Sequence, residues 1–176
     1  MNYIALLRGI NVGGKKRIKM ADLVEALEPL SLKNIRTYLQ SGNVIFEHDS
    51  IDSDEIAKNI QEKINEAFGI SVNVIIRTEE ELEDIINSNP FIKNQDIQID
   101  KLHVTFLKEL PDSIAMDLNK SENEEFEVNG REIYLYLPNG YGRTKLTNNI
   151  FEKKLKTTAT TRNWKTTNKL LEMSKN

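Results

Sequence analysis

The residues best suited to chemistry cluster near the N-terminus. Arg8, Gly9, Asn11, Gly13 and Gly14 are followed at once by Lys15, Lys16, Arg17 and Lys19. Glycines let backbone N–H groups come close to a ligand, and successive N–H groups in a turn form a concave anion site. A second polar group, Gln40, Ser41, Gly42 and Asn43, offers amide and hydroxyl donors. A third set lies near the C-terminus, where Gly142 precedes Arg143 and Lys145, and Arg162 with Asn163 precedes Trp164. Its cations suit phosphates, with Tyr141 or Trp164 available to stack on a base. A sole tryptophan beside a leucine stripe is better explained as a packing anchor.

Other chemistries are poorly served. There are no cysteines and two histidines, His48 and His103. That excludes disulfide scaffolds, cysteine-ligated zinc and thiol nucleophiles, and no metal or cofactor is expected. Gly9 to Lys15 matches G-x-x-x-x-G-K, but Lys16 stands where the magnesium-binding Ser or Thr of a P-loop belongs. The Asn43–Phe46 run has one aromatic and lacks the signature of an RNA-recognition module. Glu79, Glu80 and Glu81 read as the acidic first turn of a helix. No Ser-His-Asp order can be tied to a nucleophile elbow, so the catalytic residues are unknown.

The net charge of -3 conceals a partition. Residues 1–46 carry +4, residues 47–140 carry -14, and residues 141–176 carry +7. Both basic segments hold the motif residues. The apolar runs fall far short of the roughly 18 residues that span a bilayer. The first residues lack the basic region and cleavage site of a secretory signal. A soluble cytoplasmic protein with no membrane partner is expected, a monomer in preference to an oligomer.

The elements that must position these groups follow from periodicity. Tyr3–Leu7 is an apolar run fit for a central strand. Met20, Leu23, Val24 and Leu27 form a helical stripe stopped near Pro29. Two short β-prone runs flank Gln40-Ser41-Gly42, which suits a tight hairpin. Asp52 with Glu55 has capping-box spacing, Ile56, Ile60 and Ile64 line one helix face, and Gly69 fits a C-cap. Val72, Val74 and Ile76 alternate as a strand, and Thr78 with Glu81 caps a helix that ends before Pro90. In the second half, Leu102, Val104 and Phe106 form a strand, and Pro111 with Asp112 opens a helix carrying Ile114 and Leu118. Asn129-Gly130 marks a hairpin, and Leu146, Ile150 and Leu155 mark a helix. A threonine-rich break at Thr157–Thr161 precedes a last helix capped by Thr161.

The order βαββαβ thus appears once completely and once nearly so. The expected fold is α+β: duplicated ferredoxin-like (α/β plait) units with extra C-terminal helices. The first spans 1–78, a helix and loop over 79–100 connect, and the second spans 101–176. A right-handed crossover in such a unit brings the loop after the first strand to the same sheet edge as the second-to-third-strand hairpin. Arg8, Asn11, Gly13, Gly14, Lys15 and Lys19 then lie beside Gln40, Ser41 and Asn43. Arg143, Lys145, Arg162 and Asn163 would complete the set from the other half.

Longer motifs carry a resemblance. Tyr3-Ile4-Ala5-Leu6-Leu7-Arg8-Gly9-Ile10-Asn11-Val12-Gly13-Gly14 and Thr37-Tyr38-Leu39-Gln40-Ser41-Gly42-Asn43-Val44 resemble two motifs of the bacterial "domain of unknown function 1697" family. Gly142 to Leu146 and Thr160 to Trp164 resemble its C-terminal motifs, with Thr144 where a serine is expected. The resemblance implies a duplicated ferredoxin-like architecture and transfers no activity, substrate or residue role. The function expected from the residues is binding of a phosphate-bearing ligand, a nucleotide or nucleic acid, at the Gly-rich basic loop. The alternatives are an enzyme acting on a small anionic metabolite, oriented by Arg8 and Lys15, and a protein-interaction module using the acidic middle.

Overall fold

The computed structural model describes residues 1–112 and 118–176. The chain divides into two compact units, Met1–Glu83 with Lys169–Asn176, and Asp84–Asn168. Among the described residues the fold is α+β, with two four-stranded antiparallel sheets and five α-helices. No helix among them is long and apolar enough to cross a membrane.

The first unit runs β1 (Asn2–Leu7), α1 (Met20–Leu27), β2 (Lys33–Thr37), β3 (Asn43–Glu47), α2 (Ser53–Phe68), β4 (Val74–Thr78) and into α3 (Glu79–Asn87). Its sheet order is β2-β3-β1-β4, so β1 is central. Tyr3, Ala5 and Leu7 share a core with Leu23 and Leu27 of α1 and with Ile56, Ile60 and Ile64 of α2. Ile4 and Leu6 point to the opposite face and are equally buried. Burial on both faces is why the run is continuously apolar rather than alternating.

Local chemistry sets the helix ends. The Asp52 carboxylate accepts from the N–H groups of Asp54 and Glu55, and Gly69 closes α2 at φ +65°. Thr78 Oγ1 accepts from Glu81 N at 3.1 Å while Glu81 Oε2 accepts from Thr78 N at 2.8 Å, a complete capping box for α3.

The second unit contains β5 (Leu102–Leu107), β6 (Glu125–Asn129), β7 (Glu132–Tyr136), α4 (Asn148–Leu155) and β8 (Ala159–Asn163), which leads into α5 (Trp164–Ser174). The sheet order is β6-β7-β5-β8. The helix expected between Pro111 and Leu118 falls on residues 113–117, outside the described residues.

The structure departs from four of the expectations. The threonine-rich stretch is an edge strand: Ala159–Asn163 pairs along β5 from Leu107 to His103. β-Branched threonines fit a pleated strand, and this one lacked the apolar alternation that would have announced it. Thr161 therefore caps nothing; its Oγ1 lies 2.7 Å from Thr105 Oγ1 and donates to Asn148 Oδ1. Asn163 does the capping, its Oδ1 accepting from Thr166 N at 2.7 Å. The α4 stripe also shifts. Leu146 precedes the helix, Thr147 caps it, and Phe151 is the fully buried anchor while Ile150 is 37% exposed. In the hairpin, Asn129 still pairs with Glu132, which leaves Gly130-Arg131 as the two-residue turn.

The two units repeat one hydrogen-bonding pattern. Leu7 N donates to Gly42 O and Arg8 N to Asn73 O; Leu107 N donates to Arg131 O and Lys108 N to Thr158 O. Arg77 on β4 faces Ile4, as Arg162 on β8 faces Val104.

Candidate functional site

The loop after β1 folds back on itself before α1 begins. Asn11 N donates to Lys16 O and Lys15 N to Val12 O, which leaves Gly13 and Gly14 as a two-residue turn. Both have positive φ, +58° and +75°, as a type I′ turn requires. The conformation costs glycine nothing and would strain other residues.

Asn11 then ties this loop to the β2–β3 connection. Its Nδ2 donates to Gln40 O at 2.7 Å and to Ile18 O at 2.9 Å, while its Oδ1 accepts from Ile18 N at 2.8 Å. The two predicted loops are thus joined at one sheet edge. A third segment reaches the same edge, where Lys16 Nζ donates to Ser71 O at 2.8 Å.

Beneath the joined loops lies an open cleft of about 550 Å³. It is lined by Asn11, Gly14, Arg17, Ile18, Lys19, Asp22, Gln40 and Phe68. Asn11, Gly14, Lys19 and Gln40 come from the sequence-based set. Gly13 and Lys15 sit in the adjoining turn, and Ser41 and Asn43 serve the hairpin. Asn43 is fully buried, and its Nδ2 donates to Tyr38 O at 2.6 Å and to Ser41 Oγ at 3.2 Å. Arg8 enters the structure through its backbone N–H, held by Asn73 O at 2.8 Å.

These bonds decide which donors face a ligand. Both Nδ2 hydrogens of Asn11 are committed to the fold, so Asn11 braces the cleft. The exposed guanidinium of Arg17, the Lys19 ammonium and the Gln40 amide form its polar wall. Lys19 is also the N-cap of α1 and supplies no side-chain cap, so the first helical N–H groups receive no capping side chain from it.

The C-terminal residues belong to the second unit and take varied positions. Arg143 is exposed in a short 3-10 turn, Tyr141–Arg143. Lys145 lines a separate cleft of about 480 Å³ with Leu118, Asn119, Thr147, Ile150 and Lys154. Arg162 is 7% exposed, and its Nη1 donates to Thr160 Oγ1 at 2.8 Å and Thr161 O at 2.9 Å. Arg77, at the matching position of the first unit, is 1% exposed and donates to Ile76 O at 2.9 Å. A buried guanidinium must have its donors satisfied, and both strands supply their own carbonyls for this. Trp164 is 5% exposed, in keeping with a packing anchor.

The comparisons with known proteins agree with the motifs. The family model described as "Protein of unknown function (DUF1697)" matches residues 1–134. The chain belongs to the DUF1697 family. Among solved structures, a conserved bacterial protein, SP0830 from Streptococcus pneumoniae, is similar at 23% identity and TM-score 0.66. The alignment covers 98% of both chains, so the two share a fold over their whole length. No curated protein matches significantly. The cleft of this DUF1697 chain lies wholly within the matched residues, whereas the motifs at 142–146 and 160–164 lie beyond them.

Four cleft residues of this DUF1697 protein lie outside the sequence-based set: Ile18, Asp22 and Phe68 were missed by sequence reasoning, and Arg17 was noted only as a flanking cation. Phe68 had a usable signal, because it continues the Ile56, Ile60, Ile64 stripe by one more step of four. Asp22 lies three residues after Lys19, in the first turn of α1, where an acidic residue normally serves the helix dipole.

In the second unit His103 stacks on Tyr141, ring centroids 5.5 Å apart at 28°. Its Nδ1 lies 3.3 Å from Lys101 O. Burial holds its pKa below the ordinary 6.5; the Lys101 carbonyl opposes that shift and the Lys101 charge adds to it. A depressed folded-state pKa means the unfolded chain takes up the proton first. Stability from this group is therefore full above the unfolded value and is lost as pH falls through the folded one. Between about pH 7 and pH 5 the native protein is expected to lose stability, and His103→Phe to flatten that part of the profile. Denaturation midpoints across the range test this; identical slopes in both proteins would refute it.

Proposed function

We propose that this protein binds a phosphate-bearing ligand, a nucleotide or nucleic acid, in the cleft beneath the Gly13-Gly14 turn. One observation carries the reading: Arg17 and Lys19 converge with that turn on a concave space of about 550 Å³. Clefts of roughly 300–1,000 Å³ with a few convergent polar groups are the usual seats of small ligands. No ion pair holds Lys15, Arg17 or Lys19 among the described residues, so their charge is available to an anion. The basic N-terminal segment, +4 over residues 1–46, favours the approach of a phosphate.

The architecture belongs to the same proposal. We read each unit as ferredoxin-like and the pair as a duplication. The orders β2-β3-β1-β4 and β6-β7-β5-β8 support this, as do the paired backbone bonds at Leu7 and Leu107.

Pyrophosphate, AMP and a short oligoribonucleotide, titrated at low salt and followed by amide NMR, test the function. Shifts are expected at Gly13, Gly14 and Ile18, with affinity reduced about tenfold or more in the Arg17→Ala/Lys19→Ala double variant. Absence of binding by all three probes, or binding unchanged in the folded double variant, would overturn the reading.

A further inference from the structure

The cleft is not uniformly cationic, and the exception narrows its ligand. Opposite character meets within one small space: Arg17 and Lys19 are basic, Ile18 and Phe68 are apolar, Gln40 is an amide and Asp22 is a carboxylate. A site built only for phosphates gains nothing from Asp22, because a carboxylate repels each anion brought near it. Nor does a phosphate use Phe68, the last residue of α2, which is half-buried with part of its surface turned to the cleft.

Both residues are explained by a ligand with three parts. Its anionic end meets Arg17, Lys19 and the Gly14 backbone. A flat ring covers Phe68, since every nucleobase has a π-face and stacking on an aromatic is insensitive to base identity. A donor hydroxyl meets the Asp22 carboxylate, which when ionised only accepts hydrogen bonds. We propose, resting on the phosphate-binding reading above, that the ligand is a mononucleotide with free ribose hydroxyls. Phe68 stacks on its base and Asp22 accepts from its sugar. A polynucleotide fits less well, because its 3′-hydroxyl is esterified and the second phosphate would approach the Asp22 carboxylate. The volume agrees, since about 550 Å³ is enough to hold one nucleotide.

The test compares AMP, ribose 5-phosphate, 2′,3′-dideoxy AMP and a short oligoribonucleotide on the full chain by titration calorimetry. AMP is expected to bind about tenfold tighter than ribose 5-phosphate. Phe68→Leu, which keeps apolar volume and removes the ring, is expected to abolish that ratio while ribose 5-phosphate binds as before. Dideoxy AMP is expected to bind several-fold more weakly than AMP, and equally well once Asp22→Ala removes the acceptor. Equal affinities for AMP and ribose 5-phosphate would overturn the mononucleotide and leave the phosphate reading standing. An oligoribonucleotide that binds tighter than AMP, with a salt slope of several phosphates, would do the same. Binding by none of the probes would overturn both. A ratio that persists in Phe68→Leu would remove Phe68 from the site.

Discussion

Gly42→Ala is expected to destabilise the first unit by about 3–5 kcal/mol. Gly42 sits at φ +80°, and an added Cβ would lie 2.6 Å from Ile10 Cδ1 and 2.8 Å from Leu7 Cβ. Leu7 and Ile10 are fully buried, so neither can yield by swinging into solvent. The carbonyl of Gly42 also receives Leu7 N at 2.9 Å, which fixes the backbone from the other side. Gly69 provides the control: its φ is +65°, but nothing lies within 4 Å of an added Cβ. Gly69→Ala should cost only about 1 kcal/mol, the penalty for the left-handed backbone alone. Urea denaturation of both variants separates steric from conformational cost. Equal losses would show that crowding at Gly42 contributes nothing.

Asn11→Ala should cost about 3 kcal/mol and loosen the cleft. The substitution removes the bonds to Ile18 O, Gln40 O and Ile18 N and places alanine at φ +54°. Asn11→Gly relieves the backbone strain but restores none of the bonds, so it should recover about 1 kcal/mol and no more. Asn11→Asp keeps an acceptor for Ile18 N yet turns its second oxygen toward two carbonyls. It should be as damaging as alanine despite its near-identical shape. Hydrogen exchange at the Ile18 amide reports directly on the brace, and full protection in Asn11→Ala would count against this account. Because Lys19 and Arg17 flank Ile18, the same variant should weaken any phosphate probe of the cleft.

Much of the scaffold was legible in the chain itself. The capping box of Thr78 and Glu81 is written in residues three apart, and so is the Asp52 cap of α2. Gly13-Gly14 announced a turn. The meeting of the Gly-rich loop with Gln40 followed from crossover handedness, and the Asn11–Gln40 bond realises it. The strand β8 escaped notice because Ala-Thr-Thr-Arg-Asn has no apolar alternation. Its burial comes from pairing with β5, far from it in sequence, and from packing against α4. Arg162 was named for its charge, yet its neighbours on the strand enclose that charge.

The long motifs carried the resemblance to the family, and residue types with short-range spacing by themselves determined the α+β class, both ends of α2 and the start of α3. They could do so because capping, turn chemistry and periodicity act over a few residues. Tertiary structure alone decided which polar groups remain available. Asn11 and Asn43 look like ligand donors in the sequence and their amides bond within the fold, while Asp22 and Phe68, far apart in sequence, line one cleft. A hydrogen-bonding group can serve the fold or a ligand, and the folded loops make the choice, as in the bonds of Asn11 to Ile18 and Gln40 and of Asn43 to Tyr38 and Ser41.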